Sequence, residues 1–377
     1  MKKEIVAFSV SFVAIIMLIS CGDRNTLSEK ETDTTYQVTV KIRGLDTAKL
    51  VMNYRLGEKI NWDSSESVNG SFVFKGKAPE PVLVYLRVKD NPNYDVLKFY
   101  LENGTIEINA VRDSLTHAKA TGSLMNTQNN ELHQKLKSYD DKLSNIYEAY
   151  DKAGENKKIT DSLEIQMDRL SKERSKAAVD FVYEHPTSFV SAYQVNEIFF
   201  YNPDVPKFDS TYNVLDSSIR NSSIGRVLMK KLEVAKKTDI NQVAPDFTLK
   251  DQKGKEVALS SLRGKYVLID FWANWCGPCR AESPNLLKAY KTFTKKGFEI
   301  VGVSIDVEED RGKWIEAIKK DKLIWLQLIA PEGWKAEVAR TYGIEAIPMN
   351  FLLNKEGKII AKGLRGGALE DKLKEVL

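Results

Sequence analysis

The stretch FWANWCGPCRAESP, Phe271 to Pro284, sets Cys276 and Cys279 one helical turn apart in a chain of 377 residues whose third cysteine is Cys21. The apolar run YVLIDF precedes it, so the pattern is a strand giving way to a helix with the first cysteine at the helix start. There a sulfur faces unpaired N–H groups and the positive end of the helix dipole, which favour a thiolate. A thiol so placed falls from about 8.5 to roughly 7 or below, which predicts Cys276 as the attacking nucleophile. Cys279 is then placed to attack the mixed disulfide and release the product. Pro278 suits the first helical turn, where its missing N–H costs nothing, Gly277 leaves the exposed sulfur uncrowded, and Pro284 is expected to kink the helix. Asp270 ends the apolar strand, and burial there raises a carboxyl's pKa and suits it to take the proton of Cys279; the alternative is a solvated strand end.

Working outward, strands and helices alternate from about residue 239. APDFTLKD forms a hairpin with QKGKEVALS, and YVLIDF leads into a helix to about Lys296. Strand FEIVGVSID, a helix near Lys313 to Lys320, strand IWLQLIA and a helix around Trp334 to Tyr342 follow. The hairpin of IPMNFLLN with GKIIAKGL and the helix LEDKLKEVL end the chain. This order predicts a mixed sheet flanked by helices over residues 239–377.

DFWANWCGPCR is similar to the thioredoxin active site. APDFTL, SSLRGK, CRAESP and AIPMNFLL resemble the exported, membrane-tethered thioredoxins of the TlpA/ResA-like, AhpC/TSA-related branch, which includes cytochrome c maturation reductases. The resemblance implies an α/β thioredoxin fold and a thiol:disulfide oxidoreductase acting on protein disulfides. Its redox group is the Cys276–Cys279 pair, with no cofactor and no metal. It also implies that Asp270 matches the buried acid of that fold, and that Pro348, after Ile347, matches the cis-proline facing the cysteines and turns the Ile347 backbone toward a peptide. Glu282 matches an acidic position that tunes the pair, or is an exposed helix residue. Thioredoxins pair the buried acid with a Lys on the neighbouring strand; here Gly302 stands in that place, which implies a weaker or water-borne relay. Trp272 is expected in the core and Trp275 on an apolar rim. Gly-Pro is the thioredoxin dipeptide, and a potential of about −270 mV, against about −120 mV for a strong oxidant, implies a reductant kept reduced by a membrane electron donor of the thiol-transfer type.

At the other end, IVAFSVSFVAIIMLIS after Lys2 and Lys3 has the layout of a signal peptide over residues 1–20. LISC, Leu18 to Cys21, resembles a bacterial lipobox, which implies lipidation of Cys21, a linker over 21–35 and a lipid-anchored protein of the cell envelope. The alternative is a buried Cys in an uncleaved anchor. Gly22 implies outer-membrane rather than periplasmic-face inner-membrane delivery. In an oxidising compartment structural disulfides come in spread sets, so a lone CxxC reads as a working pair.

Between the two ends, YQVTVKI, KLVMNYR, SFVFKG, VLVYLRV and LKFYLENGTIEINA alternate apolar and polar residues. Turn signals at Asn69-Gly70, Asp90 to Asn93 and Asn103-Gly104 separate them and predict an antiparallel β-sandwich over residues 36–120. VNGSFVFKGKAPEP and FYLENGTIEI resemble a domain of unknown function that precedes thioredoxin modules, read as a spacer or platform. Over residues 121–238, steps of three and four from Leu132 to Tyr150 and Leu163 to Phe181 predict two antiparallel helices joined near Gly154. A further helix after Pro186 and one ending at about Lys237 complete the segment. Their stripe reads as an intramolecular core, and His117, His133 and His185 as structural. The net charge of +4 is spread thinly, which argues against nucleic acid. Two rival readings stand beside the reductase. A peroxiredoxin, which APDFTL also suggests, needs a Thr and a Pro where the chain has Ala273 and Ile269. A binding lipoprotein with a vestigial thioredoxin module would leave CGPC, Asp270 and Pro348 without use.

Overall fold

The computed structural model describes residues 35–91, 95–154 and 156–377. The signal peptide, Cys21 and nearly all of the linker lie outside the described residues, as do Pro92 and Asn93 of the expected turn. Among the described residues no helix is long and apolar enough to cross a membrane.

Apolar–polar alternation builds two four-stranded sheets. Strands β1 (Tyr36–Arg43), β2 (Lys49–Leu56), β3 (Lys59–Glu66), β4 (Ser71–Gly76), β5 (Val82–Val88), β6 (Val96–Leu101), β7 (Gly104–Val111) and β8 (Lys119–Thr121) pair in the orders β4-β1-β7-β8 and β3-β2-β5-β6. Val38, Phe72 and Ile106 of one sheet join Met52, Val84 and Phe99 of the other in one buried cluster. The expected sandwich is present with three corrections. β1 and β7 run parallel, with Val38 opposite Ile106, so the sheets are not wholly antiparallel. β3 and β8 are additions to the expected strands: β3 is an edge whose apolar residues, Ile60 and Trp62, are 47% and 58% exposed, and β8 has three residues. Asn69-Gly70 is the expected two-residue turn, with φ of 53° and 73°, but Asn103-Gly104 is no hairpin. It carries the chain from β6 in one sheet to β7 in the other, and the Asn103 amide exchanges hydrogen bonds with the Ala78 backbone, 2.9 Å each way.

Helices α1 (Leu124–Ala153) and α2 (Lys157–Glu184) turn back on each other at Gly154, where φ is +53°. Pairs Lys135–Glu184, Arg174–Asp140 and Tyr150–Glu164 show them antiparallel. Leu132, Leu136, Ala178 and Phe181 at the base pack with Tyr100 and Val190, so that part of the stripe is an internal core. α3 (Phe189–Ile198) and α6 (Ser223–Lys237) match the two further helices expected. α4 (Val205–Val214) and α5 (Ser217–Arg220) were not legible; they are short and are started by Asp204 and Asp216 side chains that accept backbone N–H groups.

The last region is a seven-stranded sheet built from β9 (Thr248–Asp251), β10 (Glu256–Ala258), β11 (Tyr266–Trp272), β12 (Phe298–Ser304), β13 (Leu326–Ile329), β14 (Met349–Leu353) and β15 (Ile359–Lys362). Helices α7 (Gly277–Phe293), α8 (Arg311–Lys320), α9 (Glu337–Tyr342) and α10 (Gly367–Val376) flank it. The order is β10-β9-β13-β12-β11-β14-β15. β11, β12 and β13 are parallel, joined by α7 and α8, and β14 and β15 return antiparallel. This is the thioredoxin fold, and every element expected from the sequence is present. Pro284 stands inside α7, which continues to Phe293.

Candidate active site

β11 is buried almost throughout, because it lies between β12 and β14 with α7 packed across the sheet. Its last residues lead into Ala273 to Trp275 and then the helix. Cys276 is the N-cap of α7, and its sulfur accepts the Cys279 N–H at 3.2 Å. A sulfur in that position takes over one of the four N–H groups that a helix start leaves unpaired, and the same geometry stabilises a thiolate. Cys276 and Cys279 form a disulfide, with Sγ atoms 1.95 Å apart. Both cysteines are buried in this bonded state, so the expectation of an exposed Cys276 sulfur is corrected: both belong to the buried apolar cluster of the C-terminal sheet. The surface is supplied by their neighbours. Gly277 and Pro278 are exposed at the start of α7, and space is open where a Gly277 side chain would be.

Asp270 is 7% exposed, so it is not a solvated strand end. Its carboxyl is pushed up to about 7, chiefly by burial and next by the like charge of Glu282, while Arg365 opposes the rise. Glu282 is half-buried rather than exposed. It accepts the Gly366 N–H at 2.7 Å and an Asn285 amide N–H at 3.1 Å.

The register places Asn350, Asp270, Gly302 and Gln327 side by side across four strands. Gly302 does stand opposite Asp270, and the space over it is filled: a Cβ there would lie 2.2 Å from Gln327 Oε1. That oxygen accepts the Trp272 indole N–H at 3.1 Å, and the Gln327 amide nitrogen is buried without a partner among the described residues. A neutral amide thus fills the space over Gly302, where thioredoxins carry a Lys.

The Ile347–Pro348 bond is cis. Because Phe271 pairs with Met349, this turn lies at the end of β11 from which the chain runs on to Cys276. Pro348 is buried and Ile347 half-buried. Trp272 is in the core, as expected, and Trp275 is 54% exposed, 6.2 Å from the exposed Trp334 ring. Ala273 and Ile269, where a peroxidase would need Thr and Pro, are buried apolar residues. His117, His133 and His185 lie outside this site, and no group of three or more His, Cys, Asp or Glu side chains among the described residues is arranged to hold a metal.

Sequence reasoning missed three supports. Asp306, fully buried, accepts the Asn274 backbone N–H at 2.9 Å and the Ser304 hydroxyl at 2.5 Å, which pins the turn before Cys276. Gln327 lies over Gly302, and Arg365 meets Tyr201 at Pro348. The polar pair within VSID was the one signal available for the first; the other two depend on residues far apart in the chain.

A cysteine pair of this kind passes between dithiol and disulfide with no other group, so fold and site place the chain among thiol-disulfide exchange proteins of thioredoxin fold. Residues 240–362 match the AhpC/TSA family, and residues 36–129 match a domain of unknown function, DUF4369. The thiol-disulfide oxidoreductase ResA of Bacillus thuringiensis is 33% identical over 141 residues, which are 37% of this chain and 78% of that protein. ResA of Bacillus subtilis is 34% identical over 117 residues, 31% of this chain and 63% of that protein. Among solved structures, the thioredoxin domain of a thiol-disulfide oxidoreductase from Bacteroides vulgatus is 42% identical, over 37% of this chain and 97% of that one, with a TM-score of 0.35. Through its C-terminal region the chain belongs to the family of the ResA thiol-disulfide oxidoreductases, and it is an oxidoreductase of that class.

Proposed function

We propose that the protein is a cell-envelope reductase of protein disulfides, lipid-anchored through Cys21. The observation that carries the assignment of roles is the Cys276 sulfur at the N-cap of α7, accepting the Cys279 N–H. In the dithiol form, Cys276 thiolate attacks one sulfur of the substrate disulfide, the S–S bond breaks, and the first substrate thiolate leaves. Asp270, with its carboxyl raised to about 7, takes the proton of Cys279. Cys279 then attacks the Cys276 sulfur, forming the intramolecular disulfide and releasing the second substrate thiol. Two electrons pass to the substrate; its first sulfur leaves as a thiolate and takes a proton from solvent, and the proton held by Asp270 goes to the second. Trp275, Gly277 and Pro278 offer the exposed surface at which a substrate arrives, and Ile347 and Pro348 the backbone beside it.

The Gly-Pro dipeptide supports a reducing potential, and a reductant outside the cytoplasm needs a membrane donor of thiol equivalents. Cytochrome c maturation or repair of misoxidised envelope proteins fits such a role. Redox titration of the full chain against glutathione tests the direction. The reading expects a potential below about −220 mV, since about 30 mV is tenfold in a two-electron equilibrium. A value near about −150 mV or above would make the protein an oxidase or isomerase instead.

A further inference from the structure

Three residues after the C-terminal hairpin gather separate parts of the site. Asn350, beside Asp270 in register, holds Leu364 by both backbone groups: its amide donates to the Leu364 carbonyl at 2.7 Å and its oxygen accepts the Leu364 N–H at 2.9 Å. Gly366 donates its N–H to Glu282. Between them, Arg365 donates from Nη2 to the Pro348 carbonyl at 2.8 Å and to the Tyr201 hydroxyl at 2.6 Å. The Tyr201 hydroxyl donates to the same carbonyl at 2.8 Å. Both lone pairs of one backbone oxygen are thereby taken by side-chain donors. Tyr201 belongs to the connection between α3 and α4, 147 residues before Pro348. The same helical segment is fastened nearby by Lys231 to Glu345 at 2.6 Å, and Asp239 beyond it pairs with Lys362 at 3.1 Å.

We propose that Tyr201 and Arg365 are positioning residues of the exchange site, through which the helical segment holds the Ile347–Pro348 turn beside the cysteine pair and sets how a protein disulfide docks there. The inference rests on the thiol-exchange reading and adds a part for the helical segment. Attack of one sulfur on another needs near-linear approach, and a displacement of about 1 Å in a docking element is enough to lower the rate. A turn held by one carbonyl through two donors from two regions is less free to shift than one held by its own strand. Small disulfides need only reach the Cys276 sulfur, whereas a folded or extended polypeptide must also lie along Ile347 and Pro348. Loss of the clamp therefore separates the two kinds of substrate.

Arg365 has a second effect by charge. Asp270 has Asn350 beside it on β14 and Gly302 on β12, with Gln327 next on β13, and the charges that act on it are Glu282 of α7 and Arg365 of the loop after β15. Arg365 is the cation in this set, so its removal favours the protonated acid and moves any Asp270-dependent step to higher pH.

The test uses the full-length reduced protein and two probes, insulin and oxidised glutathione. Tyr201→Phe, which removes the hydroxyl's bonds to both Pro348 and Arg365, is expected to raise KM for insulin and lower kcat/KM by at least about threefold to tenfold, the range set by a single hydrogen bond, with a smaller change in the glutathione rate. Arg365→Gln is expected to raise that KM similarly and to move the pH midpoint of Cys279 alkylation upward, with Arg365→Lys keeping the midpoint near the wild-type value. An unchanged KM for insulin in both Tyr201→Phe and Arg365→Gln, or equal losses on insulin and glutathione, overturns the proposal. If the wild type reacts with oxidised glutathione and not with insulin, the protein-disulfide reading falls and the docking role falls with it, whereas insulin reduction by the wild type with an unchanged KM in both variants overturns the positioning role alone.

Discussion

The N-terminal sandwich and the C-terminal sheet bury similar aliphatic and aromatic side chains, yet they differ in what else they enclose. Between residues 35 and 121 every buried side chain among the described residues is hydrophobic. The C-terminal sheet instead encloses Asp270, Ser304, Asp306, Gln327 and Asn350. Burying a polar group without a partner costs roughly 1 to 3 kcal/mol, and most of these groups avoid that cost by pairing. Asp306 is bonded to Asn274 and Ser304, Asn350 to Leu364, and Gln327 to Trp272. Asp270 makes no such bond among the described residues, and only burial and neighbouring charge act on it. The contrast separates a layer whose interior serves packing alone from one that holds a carboxyl at an unfavourable place on the strand that leads into the reactive pair.

The largest expected effect breaks the comparison on the packing side. Phe99, fully buried between the two sandwich sheets, should cost about 3 to 5 kcal/mol as Phe99→Ala, read as a lowered urea midpoint. Insulin reduction under native conditions should be unchanged; a parallel loss of rate would mean that the sandwich takes part in the chemistry.

Asp270→Asn sharpens the polar side. The folded-state carboxyl, raised to about 7, holds its proton more tightly than the unfolded chain does. Its contribution to stability is therefore fully present below the unfolded value near 4 and is lost as pH rises through about 7. By pH 8 the loss is on the order of 4 kcal/mol, at about 1.4 kcal/mol per pH unit. Urea midpoints of the oxidised protein should fall from pH 4 to pH 8 in the wild type and much less in Asp270→Asn, which should also slow exchange by roughly 10²-fold. Parallel slopes for the two proteins, or a wild-type exchange rate in the variant, would remove Asp270 from the role.

Smallest in stability is Trp275→Ala, at the exposed rim. It should change the unfolding free energy by no more than about 0.5 kcal/mol while raising KM for insulin. Equal KM values would leave the Trp275 and Trp334 pair without a part in docking.

How far the sequence could be read follows the same division. Strand YVLIDF, the cysteine turn and the helix after it are adjacent in the chain, and their periodicity and helix-start chemistry are local, so Cys276, Cys279 and a buried Asp270 were legible. Gly302 opposite Asp270 was legible through the resemblance, but Gln327 lying over it was not, because lateral order across β11, β12 and β13 leaves no periodic trace. The sandwich divides likewise. Alternating strands and the Asn69-Gly70 turn stand out, whereas β3, a polar edge strand, has no buried face to impose alternation, and Asn103-Gly104 looks like a hairpin until Ala78 claims the Asn103 amide. By itself the sequence determined the order of elements, the redox pair and its class of chemistry, since each rests on neighbours within one strand or one helical turn. Only the tertiary structure decided that β1 and β7 run parallel, that the Gln327 amide fills the space over Gly302, and that Tyr201 of the helical segment reaches Pro348. Those contacts join residues dozens to well over a hundred positions apart, and they form because packing brings donors and acceptors together that no local pattern connects.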